Sequence, residues 1–210
     1  MKALVQAAGR MTNVNIVAVI SHSADSPGLA WAKEKGIPTE QLVYTASAGK
    51  TRAQYDQELL GCIDRYQPDL VLLAGFMRIL SDEFVMHYTG RLVNIHPSLL
   101  PLFPGIHTHR QALQAGVRVH GCTVHYVIPA LDQGPIIAQA VVPVQPGDTE
   151  QMLSERVLHV EHLLYPRVLE WLANGQVSLD EQGQVQFTEP LPLQLFYTEA
   201  DINQSTHSIL

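Results

Sequence analysis

Apolar and polar positions along the chain switch between a period of two and a period near 3.6, and strand-like and helix-like blocks alternate. That pattern predicts an α/β fold, a Rossmann-like and mostly parallel sheet flanked by helices. The first block, Lys2 to Ala8, reads as a helix, and Asn15 to Ile20 (NIVAVI) as a strand. Ser26 caps a second helix with Pro27 in its first turn, and Gly36 stops it. Leu42 to Thr45 is a short strand. Thr51-Arg52-Ala53-Gln54 forms a capping box for a helix running to about Arg65. Leu70 to Ala74 reads as a buried strand, Gly75 to Leu80 as a loop, Ser81 to His87 as a short helix and Arg91 to His96 as a strand. Pro97, Pro101, Pro104 and Gly105 make Pro97 to His107 irregular.

A helix from Thr108 to Ala115 comes next, then strands Gly121 to Val127 and Ile136 to Val144 around the loop Ile128 to Pro135. Asp148 is placed to cap the longest helix, Thr149 to Ala173, which Gly175 ends. Val177 to Leu179 and Val185 to Phe187 form a hairpin. The periodicity supports one domain over residues 1–188 and a poorly ordered tail over 189–210.

Composition narrows the function classes. In 210 residues, 46% are hydrophobic and 16% charged, which excludes wholesale disorder. The formal charge of −7 argues against a large nucleic-acid footprint. The apolar run near Val71 to Ala74 is too short to cross a bilayer, and residues 1–6 lack a signal-peptide core. Two cysteines, Cys62 and Cys122, give no disulfide framework, so the expected compartment is the cytoplasm. The sequence does not determine an oligomeric state.

Asn94 and His96 carry the most informative chemistry. On a strand they share one face while Val93 and Ile95 take the other, and Pro97 ends the strand beside them. Active sites of open α/β sheets lie at such C-terminal strand ends. An amide donor beside an imidazole can stabilise an oxyanion and move a proton; the alternative is a merely structural hydrogen-bonded pair. Asp132, in the loop Ile128 to Pro135, either orients His96 and favours its charged form or caps its own turn. His107, His109, His120 and His125 suggest a metal, but no HExxH or CxxC spacing occurs, and none is expected.

Gly49-Lys50-Thr51 mimics a phosphate loop, yet Tyr44 stands where its first glycine belongs. Lys50 and Arg52 remain as cations able to meet an anion, or as an ordinary helix start. Phe76, Met77, Ile79 and Leu80 either pack down or line a flat apolar ligand site. Glu161, between His159 and His162, lies on a solvated face or toward a ligand.

Jointly, AGFMRILS (Ala74 to Ser81), GRLVNIHPSLLPLFPGIHTHRQAL (Gly90 to Leu113), HGCTVHYV (His120 to Val127) and LDQGPIIAQ (Leu131 to Gln139) resemble the phosphoribosylglycinamide formyltransferases over roughly residues 1 to 175. The resemblance implies transfer of a formyl group from 10-formyltetrahydrofolate to the amine of glycinamide ribonucleotide, a step of purine synthesis, without a metal. It implies catalytic roles for Asn94, His96 and Asp132. It places folate against Arg52, against Met77, Arg78, Ile79 and Leu80, and against Asn94, Ile128, Pro129, Ala130, Leu131 and Asp132. Glu161 matches a residue that grips the ribonucleotide.

One departure stands at the start. The family opens with an apolar strand and a Gly/Ser/Asn-rich phosphate loop, and this chain shows neither. Met1 falls near the leucine after that loop. The expectation is that about a dozen natural residues, counted from βα spacing, precede it, and that the chain as given binds ribonucleotide poorly.

Formyltetrahydrofolate hydrolases share the Asn/His/Asp core but usually add an N-terminal regulatory domain. Methionyl-tRNA formyltransferases share Ser98-Leu99-Leu100-Pro101 but need a C-terminal tRNA-binding domain, which a chain of net charge −7 with a short tail cannot supply. A non-catalytic folate-binding remnant is the third alternative.

Overall fold

In the middle of the chain, two short apolar strands alternate their side chains between two cores. Leu70, Leu72 and Ala74 pack toward one cluster, and Val71 and Leu73 toward the other. In the next strand Val93 and Ile95 take the first cluster and Leu92 the second. Packing on both faces selects the apolar residues Val71, Leu72 and Leu73 in the first strand and Leu92, Val93 and Ile95 in the second. The computed structural model describes residues 1–23, 25–43 and 51–188 and the backbone of Phe196–Tyr197.

The element order is α1 (Lys2–Ala8), β1 (Val19–Ser21), α2 (Pro27–Glu34), β2 (Thr39–Gln41), α3 (Arg52–Asp64), β3 (Val71–Leu73), α4 (Asp82–His87), β4 (Leu92–His96), α5 (Thr108–Ala115), β5 (Val119–Tyr126), β6 (Ile136–Pro143), α6 (Glu150–Ala173), β7 (Val177–Leu179), β8 (Val185–Phe187) and β9 (Phe196–Tyr197). The main sheet has the order β3-β4-β5-β6-β9, with β1-β2 and β7-β8 as separate pairs. The α/β architecture agrees with the sequence pattern. β1-β2, β3-β4 and β6-β9 are parallel, while β4-β5-β6 runs antiparallel.

Residues of α1, α5 and α6 build the core on one side of the sheet, and residues of α3 and α4 build the core on the other. Ile20 in β1 and Val71 and Leu73 in β3 pack on this second core, although β1 and β3 belong to different sheets. Tyr165 of α6 ties its own layer to the strands. Its hydroxyl lies 3.1 Å from Leu73 O and 2.9 Å from Val93 O, and burial pushes the phenol's pKa well up.

Most predicted boundaries fall within a residue or two. The capping box at Thr51 forms as read, with Gln54 N–H donating to Thr51 Oγ1 at 3.2 Å and Thr51 N–H donating to Gln54 Oε1 at 2.9 Å. Three details differ. β1 begins only at Val19, because the pairing with Thr39 starts there. β2 ends at Gln41, before the expected strand at Leu42, whose last residues, with Tyr44, Gly49 and Lys50, lie outside the described residues. The cap of α6 is Thr149, whose hydroxyl accepts from Met152 N–H at 3.2 Å; Asp148 instead pairs twice with Arg156, at 2.7 and 2.9 Å. Beyond residue 188, Phe196–Tyr197 adds a short strand to β6.

Gly121 permits the close packing of β5 and β6. A Cβ there would run into the carbonyl oxygen of Ala140 and stand 3.0 Å from Leu99 Cδ2. Gly121→Ala should therefore cost about 1–3 kcal/mol, the usual penalty for overpacking. Urea denaturation checks this, and an unchanged midpoint would contradict the packing described.

Candidate active site

β4 delivers Asn94 and His96 to its C-terminal end, and Pro97 stops the ladder there. The proline-rich segment beyond it is tied down by buried polar groups. Thr123 Oγ1 donates to Ser98 O at 2.7 Å and accepts from Leu100 N–H at 3.0 Å. Gln139 Nε2 donates to Leu100 O and to Thr123 Oγ1, each at 2.9 Å. Ser98 Oγ donates to Leu102 O at 2.6 Å, and Thr108 Oγ1 to Pro97 O at 2.7 Å. Buried polar groups are costly unless satisfied, and these hold one another in a single arrangement.

His96 is buried between two acceptors. Nε2 lies 3.0 Å from Phe103 O, and Nδ1 lies 3.6 Å from Asp132 Oδ2. The second distance is an ion-pair contact rather than a hydrogen bond. Asp132 is held in turn by Gly105 N–H, which donates to its Oδ2 at 2.8 Å. Phe103, His107 and Asp132 all have positive φ, at 54°, 59° and 53°. Such backbone is rare outside glycine and gathers at functional sites.

Asn94 has a partner that residue types alone did not suggest. Its Nδ2 lies 3.3 Å from His125 Nε2, and His125 Nδ1 lies 2.9 Å from Tyr126 O. A carbonyl can only accept, so Nδ1 carries the proton and Nε2 accepts from the amide. Burial lowers the pKa of His125 and keeps the ring neutral, against the opposing Tyr126 carbonyl and the Asp132 charge. The Asn94 amide is thereby oriented. The missed signal was the pairing Asn94↔His125 across β4 and β5, which requires the register.

The two apolar loops present side chains outward, the first alternately and the second in an unbroken run. Met77 is 70% and Ile79 51% exposed, whereas Leu80 is buried. Ile128, Pro129, Ala130 and Leu131 are all exposed, and Asp132 turns inward beside His96. Arg52 and Arg78 do not extend freely. Arg52 Nη2 donates to Leu80 O at 3.0 Å, and Arg78 Nη2 lies 3.4 Å from Asp56 Oδ1.

Glu161 is elsewhere. It lines a cavity of about 210 Å³ with Met1, Leu4, Gly75, Ile95 and Tyr165. Ile95 faces the α6 side, so this cavity opens on the opposite face of the sheet from His96. Burial raises the Glu161 pKa to about 7 against the opposing charge of the Met1 ammonium. Of the remaining histidines, His109 Nδ1 and His120 Nε2 stand 3.2 Å apart, and burial lowers His120 to about 4. Among the described residues, no three His, Cys, Asp or Glu side chains converge to hold a metal ion.

The profile of the formyl transferase family matches residues 1–169. The chain is 54% identical over 166 residues to the phosphoribosylglycinamide formyltransferase of Escherichia coli, covering 79% of this chain and 77% of that protein. It is 47% identical over 171 residues to the trifunctional purine biosynthetic protein adenosine-3 of Bos taurus, covering 81% of this chain but 17% of that much longer protein. The crystal structure of the phosphoribosylglycinamide formyltransferase of Anaplasma phagocytophilum superposes with a TM-score of 0.84 at 39% identity, covering 94% of this chain and 92% of that one.

The raised Glu161 pKa carries a sign for stability. A carboxyl whose pKa rises on folding from 4.5 to about 7 helps fully below 4.5, and its help is lost as pH rises through 7. Glu161→Gln should match the parent near pH 4 and exceed it at pH 8 by on the order of 1–3 kcal/mol. Thermal denaturation across that range is the check, and a pH-independent difference would contradict it.

Proposed function

The chain belongs to the formyl transferase family, and on that premise we propose that it transfers the formyl group of 10-formyltetrahydrofolate to the amine of glycinamide ribonucleotide in purine biosynthesis. The observation that carries this reading is the convergence of Asn94, His96 and Asp132 at the end of β4, flanked by two apolar loops.

That placement sets the chemistry. The amine nitrogen attacks the formyl carbon, a C–N bond forms, and the carbonyl oxygen gains negative charge. The Asn94 amide, oriented by His125, supplies a donor to that oxygen, and a protonated His96, whose two N–H groups face Phe103 O and Asp132, sets its positive charge beside it. The Asp132 carboxylate beside His96 Nδ1 balances the charge on the ring. As the intermediate collapses, the bond to the folate nitrogen breaks. That nitrogen takes a proton while the amine loses one, with Asp132 assisting the transfer. The products are the formamide and tetrahydrofolate.

Exposed apolar side chains at Met77, Ile79, Ile128 and Leu131 suit the flat pterin, with loop backbone groups meeting its polar edge, and Arg52 and Arg78 hold the first of those loops. The Glu161 cavity, beside Gly75, suits the ribonucleotide. No metal takes part in this scheme. Among the described residues no helix is long and apolar enough to cross a membrane, and a cytoplasmic setting accords with the two free cysteines.

The first test is amine-dependent release of tetrahydrofolate from 10-formyltetrahydrofolate. Release of formate without glycinamide ribonucleotide would identify a hydrolase instead. His96→Ala should lower turnover about 10²–10⁴-fold, the usual worth of a positioned acid–base group. Asp132→Asn should also lose activity and alter the pH–rate profile, and an unchanged profile would detach Asp132 from His96. His125→Leu should lower kcat more than it raises either KM, because it releases an oxyanion donor rather than a binding group.

A further inference from the structure

The loop Phe76 to Leu80 exposes Met77 and Ile79, yet it is held in place. Its anchors lie behind it, on α3. Arg52, Tyr55 and Asp56 stand on one face of that helix, at the three- and four-residue spacing that stacks side chains along one side. Each holds a different part of the loop. Arg52 Nη2 donates to Leu80 O at 3.0 Å. The Tyr55 ring lies under the Arg78 guanidinium, whose central carbon is 4.1 Å from the ring centroid. Asp56, at 1% exposure, accepts from Ser81 N–H at 2.8 Å through Oδ2 and meets Arg78 Nη2 at 3.4 Å through Oδ1.

The Ser81 N–H is the end of the loop and the start of α4, whose cap is the Ser81 hydroxyl. One buried carboxylate therefore fixes both the inward-facing side chain in the middle of the loop and the backbone at its exit. With Arg78 and Leu80 drawn toward α3, Met77 and Ile79, the residues on either side of Arg78, point the other way. That is why two large apolar side chains stand in solvent beside the catalytic end of the sheet.

We propose that Asp56 is a positioning residue for folate: it acts through Ser81 and Arg78 to hold the Phe76 to Leu80 loop in the shape that receives the pterin. The inference rests on the reading of that loop as part of the folate site. Asp56 itself touches no reacting group. Its effect falls on one substrate, because Ala74 and Gly75, but none of Phe76 to Leu80, line the Glu161 cavity.

The test compares the parent with Asp56→Asn. The amide keeps an oxygen for Ser81 N–H but loses the charge that holds Arg78, and its own N–H₂ would face the guanidinium. The KM for 10-formyltetrahydrofolate and the Kd for tetrahydrofolate by calorimetry should each rise about tenfold, the scale for losing a charge-assisted hydrogen bond. The KM for glycinamide ribonucleotide and kcat should stay within about twofold. A role confined to stability would lower the melting temperature and the active fraction while leaving both constants for folate unchanged, and that result would overturn the proposal. Equal rises for both substrates would overturn it too.

Arg78→Met keeps the buried carboxylate on Ser81 N–H and serves if Asp56→Asn does not fold. It should weaken tetrahydrofolate binding severalfold, and unchanged binding in Arg78→Met would also reject the inference. In the double variant the losses should not add, because the two side chains act as one unit. A parent protein that transfers no formyl group but binds tetrahydrofolate through this loop would reject the assigned reaction and leave Asp56's role standing.

Discussion

β4 is covered on both faces, and that constraint organises the rest of the molecule. Val93 and Ile95 are committed to the α6 side and Leu92 to the α3 and α4 side. A shift of one residue would bury polar groups among apolar ones along the whole strand, so the register has no competitor. With it fixed, Asn94 and His96 must emerge together at the strand's end, where Pro97 releases the chain.

The segment beyond Pro97 would be unfavourable to bury, since its backbone has no ladder there to satisfy it. β5 and β6 supply the missing partners through Thr123 and Gln139, and Ser98 and Thr108 complete the set. The segment then brings Phe103 O and Gly105 N–H to His96 and Asp132. The imidazole and the carboxylate are thus held by backbone rather than by one another alone, which suits groups whose charges must change during a reaction.

The sheet also separates tasks. The two apolar loops and the Asn94, His96 and Asp132 cluster gather where the α3 layer meets the strand ends, and the Glu161 cavity opens on the α6 side. α3 supports the first region from behind through Arg52, Tyr55 and Asp56. α6 contributes Glu161 to the second and crosses to the strands through Tyr165. Two substrates approaching from either side of one strand end would meet at Asn94 and His96.

The order of elements, the capping box at Thr51, the break at Pro97 and the shared face of Asn94 and His96 are local properties, set by periodicity and turn chemistry, and the sequence alone determined them. So was the family, because its motifs survive intact between Ala74 and Gln139. Partnership across the fold was not legible. His125 read as one more histidine until register placed it on Asn94, and Arg52, exposed as the sequence suggests, finds its partner Leu80 O only because α3 lies against the loop. Asp56 carried no signal at all, since a buried carboxylate and a surface one look alike in a helical pattern. Asp148 looked like a cap, but Arg156, two turns on, claimed its carboxylate. Hydrogen bonds between residues distant in sequence depend on which surfaces come together, and only the tertiary structure decided that.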